Sequence, residues 1–236
     1  MPRFRPGVES FPASVPAREL FIYLGALISL ASGIGLLVPR LATIAARLLL
    51  STLLLWLLLF RLPNFLHEPL FAACWTVFPL AVILAAAWVL YVSFTADWDR
   101  KHLSFVSSNN GLRIARVLYG LSLIFFGMAH FLALQVTTPL VPNWLPAHLF
   151  WAYFTGSTFI AAGVAVLIGL YARLATALSA LQIGLFLVLV WIPIVVAGSK
   201  VPFQWSETIL NTALLAAAWV IADSYRNTLW LAANNR

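Results

Sequence analysis

The stretch LAAAWV occupies Leu84–Val89 and returns unchanged at Leu215–Val220. Alone, one such match is within the reach of an alanine-rich chain. The flanking residues decide otherwise. At a separation of 130, Tyr23 meets Tyr153, Ala31 meets Ala161, Gly33 meets Gly163 and Leu37 meets Leu167. Arg40-Leu-Ala-Thr43 meets Arg173-Leu-Ala-Thr176 at 133, Leu62-Pro63 meets Ile192-Pro193 at 130, and LAAAWV meets itself at 131. The matches run in order with almost constant spacing, which is the signature of a duplicated unit.

The unit is built of membrane-spanning helices. Of the 236 residues 63% are apolar and 9% charged, and the mean hydropathy is +0.97. A soluble domain carries roughly 25% charged residues. Apolar runs of about 20 residues cross a bilayer as helices, because lipid offers the backbone no hydrogen-bond partner. No stretch alternates polar and apolar residues as a barrel strand would. The expected spans are 20–38, 42–61, 70–94, 112–134, 149–170, 174–197 and 206–223. The first lacks an A-x-A cleavage site and reads as a retained helix rather than a signal peptide.

The fold class is therefore all-α: seven transmembrane helices, a three-helix unit followed by a related four-helix unit. A Pro-rich irregular tail covers 1–19, the first repeat 20–94, a polar loop 95–111, the four-helix unit 112–223 and a C-terminal tail 224–236. Equivalent helices lie four apart in order. An even separation inserts both copies the same way round, a parallel repeat.

Charge sets the orientation. Arg40, Arg47, Arg100, Lys101, Arg113, Arg116, Arg173, Arg226 and Arg236 fall on one side. Arg3, Arg5, Arg18, Arg61 and Lys200 fall on the other. The richer side is expected to be cytoplasmic, with the N-terminus outside and the C-terminus inside. The net charge of +7 is spread singly over helix ends, without the basic clusters of a nucleic-acid surface. Arg47 reads as snorkelling to headgroups. The lone Cys74 excludes an internal disulfide or dithiol pair and reads as a packing residue.

His67, His130 and His148 map to the outer side, as do Glu68 and Glu207. His130 lies inside apolar sequence (GMAHFLAL), where an imidazole is costly and marks a candidate site. It shares a stripe with Arg116, Gly120 and Gly127, and the glycines allow a second helix close by. Gly156 and Gly163 read as packing positions, and Gln182 as a bond across the bundle. Glu207 and Asn211 share a helix face, with Ser206 as the expected N-cap. One reading places His130, His148, Glu207 and Asn211 around an outward-facing polar pocket. The other has His130 bonding a nearby backbone carbonyl and Glu207 capping its own helix. No HxxH or HxxxH pair exists, so neither metal nor haem is expected within this chain. No nucleophile elbow, P-loop or dinucleotide motif occurs.

GMAHF (127–131), LVPNWLPAHLFWAYFTG (140–156), IAAG (160–163) and ARLATAL (172–178) together resemble the DoxX-like membrane proteins. The likeness covers about 112–223. It implies a four-helix unit and a non-catalytic membrane subunit of an oxidoreductase complex in a bacterial inner membrane, partnered by other membrane or periplasmic subunits. Such subunits act with thiosulfate or quinone oxidoreductases or with redox-stress enzymes, and a quinone is the molecule expected at the residues read above: His130, Trp144, His148, Glu207 and Asn211. Relatives often carry an ionisable residue in the helix that here reads TGSTFIAAG, and this chain has Ser157 and Thr158 there. Two other readings stand beside this one: a small-molecule or lipid carrier, and a purely structural or assembly protein.

Overall fold

The computed structural model describes residues 18–232. The Pro-rich tail, with Arg3 and Arg5, and the end of the C-terminal tail, with Arg236, lie outside the described residues. Within them the chain is helical and contains no strand. Seven helices are long and apolar enough to cross a membrane: Glu19–Leu36, Ala42–Leu66, Leu70–Ser93, Asn109–Leu132, His148–Ile168, Ala172–Val196 and Pro202–Asp223. Their outward faces carry large apolar side chains such as Leu27, Leu59, Leu181 and Ile209 at 58–68% exposure. That is a pattern for lipid rather than water. The protein is a multi-pass membrane helix bundle.

The chain divides between Ala115 and Arg116 into two compact units. In the first, α1 (Arg18–Leu36) packs on α2 (Ala42–Trp56), and α2 on α3 (Leu70–Ser93). The interior of these helices is rich in alanine: Ala42, Ala45, Ala46, Ala73, Ala81, Ala85, Ala86 and Ala87 are all buried. Small residues let helix backbones approach where lipid supplies no hydrophobic drive. After α3 comes a short helix, α4 (Asp97–His102), inside the stretch read as a polar loop. Asp97 and Asp99 occupy its first turn and Arg100, Lys101 and His102 its last, the arrangement the helix dipole favours. The next helix, α5 (Asn109–Leu132), starts earlier than the expected 112. The Ser108 hydroxyl accepts the Asn110 N–H at 3.4 Å and supplies the cap that the apolar run did not reveal.

The second unit holds most of α5, a short α6 (Leu134–Thr137), α7 (His148–Ile168), α8 (Ala172–Phe186), α9 (Ile192–Val196) and α10 (Pro202–Asp223). α8 packs against both α7 and α10. The α7–α8 contact is pinned by Gln182, whose Oε1 accepts from Thr158 at 2.7 Å and whose Nε2 donates to the Thr155 carbonyl at 2.9 Å. The bond expected across the bundle is therefore present. α5 meets α8 through a fully buried hydrogen bond, Tyr119 to Ser179 at 2.8 Å.

Among the described residues each unit contains one π-helical segment directly before a residue followed by proline: Leu57–Arg61 before Leu62-Pro63, and Leu187–Trp191 before Ile192-Pro193. A helical proline lacks its N–H and crowds the carbonyl four residues back. A wider turn ahead of it relieves that crowding. α10 begins at Pro202, with Val201 as its N-cap. This corrects the expected cap: Ser206 lies inside the helix, and its hydroxyl donates to the Phe203 carbonyl at 2.8 Å. Proline's pre-set φ starts the helix one turn early.

Candidate functional site

The C-terminal half of α5 is positioned by glycine. A Cβ added at Gly127 would lie 2.4 Å from the Gly156 carbonyl oxygen, and one at Gly163 would lie 2.6 Å from the Gly120 oxygen. Gly120 and Gly127 of α5 thus face Gly163 and Gly156 of α7, each pair seven residues apart, and the backbones approach closely. A Cβ at Gly156 would stand 2.8 Å from the His130 Cβ. The stripe read from the sequence is a helix crossing, with the histidine at its edge.

His130 is half-buried. Its Nδ1 lies 2.7 Å from the Phe126 carbonyl oxygen one turn back. A carbonyl only accepts, so Nδ1 carries the proton, and Nε2 of the neutral ring is an acceptor only. The imidazole stacks near-parallel on Phe186 at 5.8 Å and lies 5.7 Å from Phe159. Phe159 in turn meets Phe126 at 6.0 Å and Phe186 at 5.9 Å. One polar acceptor is set among three phenylalanines from α5, α7 and α8.

The other candidates sit apart from this ring contact. Trp144, in the loop before α7, is 68% exposed. His148 opens α7 behind Ala147, which adopts a left-handed φ of 57°. Asn211 donates from Nδ2 to the Glu207 carbonyl at 2.9 Å, so those two share a face of α10 as expected. The Glu207 carboxylate is half-buried and has no hydrogen-bond partner among the described residues. Among the described residues the His130 ring meets Phe126, Phe159 and Phe186, and neither bonds to nor stacks on Trp144, His148, Glu207 or Asn211. Among the described residues no three His, Cys, Asp or Glu side chains come together as a metal-binding group.

A second polar centre escaped the sequence reading. Arg47, read as snorkelling, has a partner inside the protein: it donates to Asp99 Oδ2 at 2.7 Å, and the Asp99 side chain is fully buried. The Arg47 guanidinium also lies 5.6 Å from the Trp98 ring, which stacks on His102 at 4.6 Å. Thr43 donates to the Phe94 carbonyl at 2.8 Å. Together these bonds fasten the segment after α3 onto α2. An unmatched arginine one turn inside a span was the available signal. Its partner lay in a loop whose path the sequence did not show.

Segment 224–232 is fastened in a comparable way within the second unit. Arg173 donates to the Thr228 carbonyl at 2.7 Å and stacks over Trp230 at 4.2 Å. Arg116 bonds Ser224 and stands 3.8 Å over the Tyr225 ring. Burial raises the Tyr225 phenol above its ordinary range, and the Arg116 charge opposes part of that shift.

Compared with known proteins, the chain matches no family model, no curated protein and no solved structure.

Proposed function

We propose that the protein is a non-catalytic, DoxX-like membrane subunit of an electron-transfer complex, and that His130 receives a ring hydroxyl of reduced quinone. The observation carrying this reading is the Nδ1–Phe126 bond. It holds Nε2 as an acceptor among aromatic faces, a fit for a hydroxyl donor on a flat ring. A quinone carbonyl, itself an acceptor, would find no donor there until the imidazole takes a second proton. The chain's own part is to bind and orient. A quinone supplies the two-electron chemistry, and partner subunits carry the electrons away.

The test is His130→Gln against His130→Phe in the intact complex, reading quinone extracted per protein. Gln keeps an acceptor at this position and is expected to retain most of the bound quinone. Phe is expected to lose about 90% of it, which corresponds to roughly 1.4 kcal/mol for one hydrogen bond. Equal retention in both would refute the quinone role. The glycine crossing beside His130 favours a second reading, assembly, in which His130→Phe costs complex formation and leaves quinone untouched.

The two units belong to one parallel repeat in this proposal. Support comes from the ordered sequence matches, and from π segments starting at Leu57 and Leu187, again 130 apart. Further support is an arginine–tryptophan stack at the segment after the last helix of each repeat copy, α3 and α10. The membrane is the bacterial inner membrane, with the N-terminus outside. A phosphatase fused after Arg236 is expected to stay inactive and one fused within the Lys200 loop to be active. The reverse result would invert the topology.

A further inference from the structure

We infer that the segment from α4 to the start of α5 is a binding surface for anionic phospholipid headgroups at the membrane edge. It lies outside the seven spans, between Ser93 and Asn109. Yet it exposes large apolar side chains: Trp98 at 56%, Leu103 at 40% and Phe105 at 62%. Beside them stand Arg100 and Lys101, both exposed, with Arg113 one turn into α5. None of these three cations has an ion-pair partner among the described residues. Arg100 makes one long bond, 3.4 Å to the Thr95 carbonyl.

The neighbouring acids do not neutralise them. Asp99 is consumed by Arg47 inside the protein, which leaves Asp97 as the exposed acid of this helix. Apolar side chains beside unpaired cations fit the zone where acyl chains meet phosphate. A soluble partner would match the charge and leave the acyl-like contact of Trp98, Leu103 and Phe105 unmet. The mount is rigid. The Arg47–Asp99 bond, the Ser107 hydroxyl on the Asp99 carbonyl at 3.3 Å, and Trp88 Nε1 on the Val106 carbonyl at 2.9 Å fix the segment to the bundle. The backbone of the surface is thus held in place before binding, which lowers the ordering cost to that of the side chains.

The test uses the full chain in neutral detergent with phosphatidylglycerol, phosphatidylcholine and inorganic phosphate as separate probes, bound lipid being counted by native mass spectrometry. Phosphatidylglycerol is expected to bind and to be released by salt, and phosphatidylcholine to bind far more weakly. Arg100→Gln with Lys101→Gln is expected to weaken phosphatidylglycerol binding roughly 25-fold, since each cation near an anionic surface contributes about fivefold. Both positions are exposed, so an unchanged melting curve should confirm that the variant folds. Equal binding of the two lipids, salt-insensitive binding, or wild-type affinity in the double variant would each overturn the proposal. Competition by millimolar inorganic phosphate would also overturn it, by making the site one for free anions. The salt titration of the unaltered protein stands even if the variant fails to fold.

Discussion

Gly127→Val is expected to separate α5 from α7 and cost the second unit about 3 kcal/mol, the upper end for an overpacked contact. The clash is with backbone: even one Cβ would stand 2.4 Å from the Gly156 oxygen and 3.0 Å from the Ile160 nitrogen. Backbone cannot rotate aside as a side chain can, so the helices must move apart. The Phe159 contacts of His130 and Phe126 would go with them. Chemical denaturation in detergent, followed by circular dichroism, measures the loss. Gly33→Ala is the control. Nothing stands within 4 Å of the Cβ it would add, and alanine gains up to about 1 kcal/mol over glycine in a helix. That variant is expected to be neutral or more stable. If Gly127→Val unfolds at the wild-type midpoint, the close crossing is wrong.

Arg47→Leu is expected to cost the first unit about 3 kcal/mol. The Asp99 side chain is fully buried, and stripping the partner from a buried ion costs about 3–5 kcal/mol. The lower end applies because the Arg47 side chain is 46% exposed and gives up less on its own account. The penalty belongs to the stranded carboxylate rather than to the value of the pair. Arg47→Leu combined with Asp99→Asn is therefore expected to recover at least half of it, since no charge then remains inside. Additive losses in the double variant would show that the two side chains act independently, contrary to the 2.7 Å bond.

Seven spans were legible because each satisfies its own backbone within one continuous apolar run, a property that needs no knowledge of neighbours. Edges were less so. Pro202 starts one helix through its fixed φ and Ser108 another through a capping bond, local features that hydropathy averages away. The glycine stripe was legible as a close-packing face, because two glycines on each helix shared one spacing. The Arg47–Asp99 centre was not: 52 residues separate the partners, and nothing in either neighbourhood names the other.

The repeated LAAAWV shows where the division falls. Sequence alone determined that both copies are helical and apolar enough to lie in a membrane, and both are, in α3 and α10. Tertiary structure decided what each copy does. Leu84, Ala85, Ala86, Ala87 and Val89 are all buried, and Trp88 donates to the Val106 carbonyl. In the second copy only Ala217 and Ala218 are buried, and Trp219 is 71% exposed. The physical reason is that a helix fixes its own hydrogen bonds from within, whereas the burial of a side chain depends on which distant segment the fold brings alongside.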